Sequence, residues 1–397
     1  MIIRPQSKGF ICLTAHPDGC AKNVADQIAL ARSTGKKQGP RNVLIIGASA
    51  GYGLSSRVMA AFGYGAKTLG VFYEKPADEK RTASPGWYHT AAFEREAHAA
   101  GLQAASVNGD AFSNDIKKKT LSLLKQSFGP VDLVVYSLAS PRRVHPETGE
   151  IFSSVLKPIL RPYSSKTIHF QTGVISDVAI APATQAEISQ TVAVMGGEDW
   201  NLWMEALEGE GLLAPNATTV AYSYAGPELT EPIYRRGTIG RAKDHLETMA
   251  LHLNQRLGRT GGRAVVSVNK ALVTQASSAI PVMPLYISIL YKTMKSRGLH
   301  EGCMEQMARL FNDHLYADTP PPRDEANRIR IDDWEMRADV QNSVARAWDL
   351  VNARNVERWT DLAGYKEDFF KLFGFGREGI DELIDVNPIV PIPSLEP

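Results

Sequence analysis

The chain has 397 residues, of which 44% are apolar and 22% charged, and a formal net charge of +1. That length allows two or three average domains, or one large α/β domain with extensions, and the composition is that of a soluble globular protein. The charge balance argues against a surface built for nucleic acid or acidic membranes. Cys12, Cys20 and Cys303 show no zinc-type spacing and one is odd, which favours a reducing cytosol over a disulfide frame or a metal site.

The first residues lack the apolar core of a signal peptide, and the longest apolar stretch, 280–291, is too short for a membrane span. Residues 1–40 predict an N-terminal extension with a strand near 10–13 and a helix over 19–33. The apolar run 42–46 then reads as a strand and Gly47-Ala48-Ser49-Ala50-Gly51-Tyr52-Gly53 as a tight turn. A helix follows, with Leu54, Val58 and Phe62 on one face. Glycines let such a loop approach a ligand, and the helix start offers unpaired N–H groups to a pyrophosphate. Any sharp strand-to-helix turn also wants glycines, so the flanks have to decide.

Residues 67–73 predict a second strand that ends at Tyr73-Glu74. A carboxylate some two dozen positions after the glycines is placed to hydrogen-bond ribose hydroxyls and to repel a 2′-phosphate, which favours NADH over NADPH. A solvated charge at a strand end is the plainer alternative. A helix over 87–100 leads to a third strand, 104–108, closed by Gly109-Asp110-Ala111. Asp110 is suited to an adenine amino group or to capping the helix 115–128. A fourth strand, 131–136, runs into Leu138-Ala139, small enough to lie under a flat cofactor or to make a turn. This alternation describes a parallel sheet with helices on both faces, whose ligands sit at the carboxyl ends of the strands, where all these residues fall.

Residues 141–215 interrupt the pattern and read as an insertion or lid. It has a strand-like stretch 166–180, a capping box from Thr184 to Glu187, a break at Gly196-Gly197 and a helix over 200–208. A further strand, 217–223, precedes Tyr224 and then Tyr234 and Lys243. A lysine ammonium can hold ribose hydroxyls, and a phenol can donate to an oxygen that gains negative charge. Nine residues at about 100° each place Tyr234 and Lys243 on opposite faces of a regular helix. Tyr234 is therefore expected on an irregular approach, with regular helix starting near Gly240 or Arg241. Taken alone, such tyrosines often anchor loops and such lysines are often solvated.

The glycine loop, the Tyr234/Lys243 pair with eight residues between, and Leu272-Val273-Thr274-Gln275-Ala276-Ser277-Ser278-Ala279-Ile280-Pro281 together resemble the short-chain dehydrogenase/reductase superfamily. Within it the chain resembles the FabV-type enoyl-acyl-carrier-protein reductases, relatives of the trans-2-enoyl-CoA reductases, over essentially its whole length. The resemblance implies a Rossmann-type doubly wound α/β sheet in one enlarged domain over 1–397. The core would span 41–310 with the 141–215 insertion, flanked by extensions 1–40 and 311–397. It also implies that Tyr234 donates a proton, that Lys243 contacts NADH and that Tyr224 contacts the acyl substrate. Gly47, Ala48, Ser49, Ala50, Gly51, Tyr52, Tyr73, Glu74, Asp110, Ala111, Leu138, Ala139, Leu272, Val273 and Thr274 match the remaining cofactor positions.

The expected substrate is an enoyl thioester on acyl carrier protein or coenzyme A, reduced in the last step of the fatty acid elongation cycle. No metal, nucleic acid or membrane insertion is expected, and the extensions suggest a monomer. Arg235-Arg236, or the run Lys117-Lys118-Lys119, could receive a pantetheine phosphate or an acidic carrier, although such a run usually forms a solvated helix face. A ketone or alcohol dehydrogenase of the same superfamily and an idle NADH-binding regulator are the competing readings. Residues 283–296 and 333–351 read as helices, the second carrying Trp334, Val340, Val344, Trp348 and Val351. The tail is expected to be helical over 367–372.

Overall fold

In the computed structural model, which describes residues 1–36 and 38–395, seven strands form one sheet. They are β1 (Asn42–Ile46), β2 (Lys67–Phe72), β3 (Ala104–Asn108), β4 (Val131–Tyr136), β5 (Leu213–Ser223), β6 (Arg263–Val268) and β7 (Ile329–Arg330). The order is β7-β6-β5-β4-β1-β2-β3 and every pairing is parallel. This is the doubly wound α/β arrangement, and its strand order reverses between β1 and β4, where ligands of such sheets bind.

Alternation along the strands divides the interior. Val43, Ile45, Leu133, Val135, Val220 and Val265 face helices that include Pro17–Thr34, Gly51–Val58 and Cys303–Arg309. Leu44, Ile46, Val134, Tyr136, Ala221 and Val266 face the other layer, with helices Glu198–Gly209 and Thr238–Leu257. Strands buried on both faces read as continuous apolar runs, which is how 42–46 and 131–136 appear in the sequence. A third apolar cluster lies outside these layers. It joins Tyr234, Leu272 and Val273 to the helix Met283–Lys295 and to Tyr365 and Phe369.

The 141–215 stretch resolves into two hairpins, Arg142–Val144 with Ile151–Ser153 and Tyr163–His169 with Val174–Ile180, and then two helices. The strand-like run 166–180 is thus two strands, turned at Gly173, whose φ is +77°. The capping box forms as expected, with Thr184 Oγ1 accepting from the Glu187 N–H at 3.2 Å. The helix Glu198–Gly209 is the crossover from β4 to β5, held by Trp200 Nε1 donating to Thr219 Oγ1 at 2.8 Å.

Beyond residue 310 the chain supplies β7 and then the helix Ala338–Leu350, shorter than the expected 333–351. Residues 333–336 are a turn from which the Glu335 side chain goes inward and is fully buried. The tail runs back along the outer edge of β3. Trp87 Nε1 donates to the Val390 carbonyl at 2.8 Å, and Ser394 Oγ accepts from the Ser106 N–H at 2.8 Å. Ser394 Oγ also donates to Glu94, which lies 3.7 Å from the buried guanidinium of Arg57. An edge strand that would otherwise offer free pairing groups is thereby covered.

Candidate active site

At the end of β1, Gly47 turns with φ +89°, and a Cβ there would lie 2.1 Å from the Ser137 carbonyl oxygen. Only glycine allows β1 and β4 to run out this close together. The helix Gly51–Val58 starts at Ala50 with no side-chain cap, and a Cβ on Gly51 would meet nothing within 4 Å. Uncapped first-turn N–H groups facing open space fit the diphosphate of a dinucleotide. Ser49 Oγ donates to Glu74 Oε1 at 2.7 Å, so the loop and the end of β2 are tied together. Burial pushes the Glu74 carboxyl above its ordinary range, with the Ser84 and Ser49 hydroxyls opposing the shift.

Tyr73, next to Glu74, is exposed. Asp110 accepts from the Phe112 N–H at 3.0 Å, while the cap of the helix Asn114–Leu123 is Ser113. The capping alternative for Asp110 is therefore set aside. Ala111 is buried; Leu138 is half-buried and Ala139 exposed beyond β4. All of these stand at the carboxyl ends of the strands, as does Tyr52, whose hydroxyl donates to the Lys270 carbonyl at 2.8 Å just past β6.

Tyr234 lies in a run of turns over 228–236, on an irregular approach as expected. The regular helix starts at Thr238, earlier than the expected 240 or 241. Gly240 sits inside its first turn because a Cβ there would come 2.0 Å from the Arg235 carbonyl oxygen, so the glycine serves a close approach rather than a break. The Tyr234 ring meets the Tyr224 ring edge-on, with centroids 4.9 Å apart. Tyr224 donates to Glu335 Oε1 at 3.2 Å, whereas the Tyr234 hydroxyl has no hydrogen bond to any described residue. Burial, with Glu335 and Tyr365 nearby, raises the Tyr234 phenol well above its ordinary range. Lys243 donates to the Tyr222 carbonyl at 3.1 Å, and burial lowers its ammonium to about 8 against the pull of Glu247.

Leu272 and Val273 are buried and Thr274 caps the short helix Gln275–Ala279, its Oγ1 accepting from the Ser277 N–H at 3.0 Å. Three further buried groups, Glu335, Tyr286 and Lys270, carry no local sequence signal. Glu335 accepts from Tyr286 at 2.6 Å and from the Ala271 N–H at 2.7 Å, and burial pushes its carboxyl above the ordinary range, opposed by the Lys270 ammonium and by these two hydrogen bonds. Nothing near Glu335 in the sequence marks it as part of a site. Of the basic candidates for a carrier, Lys118 and Lys119 are exposed, as on a solvated helix face, and the other three have partners. Lys117 is buried and pairs with Asp199 at 2.7 Å, so it belongs to no solvated face. Arg235 pairs with Asp244 at 2.6 Å and Arg236 with Glu231. Among the described residues no cluster of side chains could hold a metal ion, and no helix is long and apolar enough to cross a membrane.

Three family models match the chain. Residues 81–316 match the trans-2-enoyl-CoA reductase catalytic region and residues 2–79 the NAD(P)H binding domain of trans-2-enoyl-CoA reductase. Residues 323–386 match an enoyl reductase FAD binding domain. The last stretch does not fit a flavin dinucleotide. Its two longer helices open on carboxylates, Asp339 in the first turn of one and Asp361 capping the other. Anionic groups there would repel a diphosphate, and Val340, Val344 and Trp348 are spent on the third apolar cluster.

The enoyl-[acyl-carrier-protein] reductase [NADH] of Flavobacterium johnsoniae is 59% identical over 396 residues, covering 100% of both chains. Among solved structures, the Treponema denticola trans-2-enoyl-CoA reductase in complex with NAD is 48% identical, with a TM-score of 0.94 over 97% of this chain and 98% of that one. The Clostridium acetobutulicum trans-2-enoyl-CoA reductase in complex with NADH is 42% identical, with a TM-score of 0.96 and full coverage of both. With the uncapped glycine loop, the Tyr234/Lys243 pair and these full-length likenesses agreeing, the chain belongs to the trans-2-enoyl-CoA reductase family, of FabV type.

Proposed function

We propose that the protein reduces the trans-2 double bond of enoyl thioesters, carried on acyl carrier protein or coenzyme A, in the last step of the fatty acid elongation cycle. One observation carries the assignment of roles: Tyr234 is buried, yet its hydroxyl is bound to no described residue, unlike that of Tyr224. A phenol held in its acid form by burial, with its proton uncommitted, is suited to general-acid work. NADH, when bound, supplies the hydride that goes to the β-carbon. Tyr234 hydrogen-bonds the thioester oxygen as enolate charge grows there and supplies a proton, so that the α-carbon ends protonated.

The loop from Gly47 through Ala48, Ser49, Ala50, Gly51 and Tyr52 offers its N–H groups to the pyrophosphate, and Lys243 holds ribose hydroxyls near the reacting end. Glu74, beside Tyr73, takes the adenosine ribose, and Asp110 with Ala111 takes the adenine. Leu138 and Ala139 line the cofactor from β4, and Leu272, Val273 and Thr274 line the nicotinamide and its phosphates. Tyr224 shapes the acyl side of the pocket. In this reading the chain works as a monomer, since residues 393–395 lie against the β3 edge where another copy would pair; a dimer mass by light scattering would refute that.

The test is direct. Protein mixed with crotonyl-CoA and NADH should consume NADH with saturable kinetics, and simple alcohols with NAD should give no reaction. Alcohol oxidation without enoyl reduction would replace this reading with that of an alcohol dehydrogenase.

A further inference from the structure

The buried carboxylate of Glu335 gathers three parts of the site. Its Oε1 accepts from Tyr286 at 2.6 Å and from Tyr224 at 3.2 Å, and its Oε2 accepts from the Ala271 N–H at 2.7 Å. Tyr286 belongs to the helix Met283–Lys295, Tyr224 follows β5, and Ala271 immediately precedes Leu272-Val273-Thr274. Gln341 locks the arrangement from the next helix, donating to the Glu335 carbonyl at 2.7 Å and reaching the Tyr286 hydroxyl at 3.3 Å. The Lys270 ammonium, itself buried and bonded to the Ala271 carbonyl at 3.0 Å, supplies countercharge.

A buried carboxylate is costly unless its oxygens are satisfied, and breaking such a set leaves a charge or a donor unpaired. An apolar side chain could fill the same volume. It could not hold the Tyr224 hydroxyl, and that hydroxyl is the part with consequences for the site. A tyrosine has one proton to donate, and here Tyr224 spends it on Glu335 while its ring packs perpendicular to that of Tyr234.

We infer that Glu335 is a positioning residue for the reduction, holding Tyr224 so that its ring sets the Tyr234 ring and its proton stays out of competition for the substrate oxygen. The inference rests on the reading of Tyr234 as the proton donor. It gives the segment after β7 a role that needs no flavin: it completes the tyrosine pair from behind.

The test is a double-mutant cycle on the full chain with crotonyl-CoA and NADH. E335Q should lower kcat about tenfold while KM for NADH moves by less than about twofold, because the Tyr224 hydroxyl loses its carboxylate acceptor while the glutamine amide oxygen can still accept from the Ala271 N–H ahead of Leu272-Val273-Thr274. Y224F removes the hydroxyl through which Glu335 acts. In that background E335Q should lower kcat by no more than about a further twofold. If E335Q is not recovered folded, E335D, which keeps the charge but withdraws it by a methylene, is read in the same cycle. An E335Q enzyme with wild-type kcat, or effects of the two substitutions that multiply, would overturn the positioning role. A wild-type protein that leaves NADH untouched would sink the reductase reading, and this inference with it, whereas turnover combined with multiplying effects sinks the inference alone.

Discussion

The cofactor end of the sheet and the tyrosine cluster are built in opposite ways. At the cofactor end the parts are local and mostly backbone: an uncapped helix start and a loop whose glycine faces open space, with one side-chain tie, Glu74 to Ser49, only 25 positions away. In the tyrosine cluster the work is done by side chains brought from far apart, with Tyr224 meeting Glu335 across 111 positions and Tyr286 meeting it across 49. The first is a local motif that tolerates change in what surrounds it. The second exists only when the third apolar cluster is packed, and each of its members depends on the others.

The largest expected effect breaks the tyrosine side alone. Tyr234→Phe should cut turnover of crotonyl-CoA by about 10²–10³, with the NADH dissociation constant, read by fluorescence titration, changed little. Equal turnover in the variant would remove Tyr234 from the chemistry.

Lys243, proposed to hold the cofactor ribose near Tyr234, is read by pH. Its folded pKa of about 8 lies below the ordinary 10.5, so the ammonium is lost as pH rises through about 8. kcat/KM for NADH should therefore fall above about pH 8, and Lys243→Arg, whose guanidinium stays charged, should lack that fall. An identical alkaline limb in the arginine variant would assign the titration to another group.

On the cofactor side, Glu74→Ala should raise kcat/KM for NADPH relative to NADH by about tenfold, the equivalent of roughly 1.4 kcal/mol of relieved repulsion. An unchanged ratio would leave Glu74 as a strand-end charge. Away from both regions, Ser394→Ala orphans the Ser106 N–H and should cost about 1–3 kcal/mol of stability. That should appear as a melting temperature lowered by a few degrees, with kcat intact; a drop in kcat would show that the tail reaches the site.

The same contrast explains what could be read from the chain in advance. The glycine loop, the first four strands and the Thr184–Glu187 cap are set by neighbours in sequence, and they lie where periodicity and turn chemistry place them. The irregular approach of Tyr234 followed from helical geometry alone. The helix starts at Thr238 rather than at 240 or 241: Gly240, which in sequence looks like a break, is a glycine because the Arg235 carbonyl presses on it in the fold. Lys117 resembles its two lysine neighbours until the helix Glu198–Gly209 brings Asp199 against it. Glu335 stands in an acidic stretch that reads as the start of an amphipathic helix, and its partners are set by tertiary packing that no local pattern encodes.

The pairing of Ser106 with Ser394 joins positions 288 apart. At about 5–20 residues per second, a ribosome needs roughly 15–60 s to make the intervening chain. During that interval β3 exists without its cover, and its outward N–H and carbonyl groups are open to any extended strand nearby. A nascent chain stalled before residue 386 would carry a nearly complete sheet with an adhesive rim, so premature termination of this message should yield aggregates rather than a smaller soluble protein.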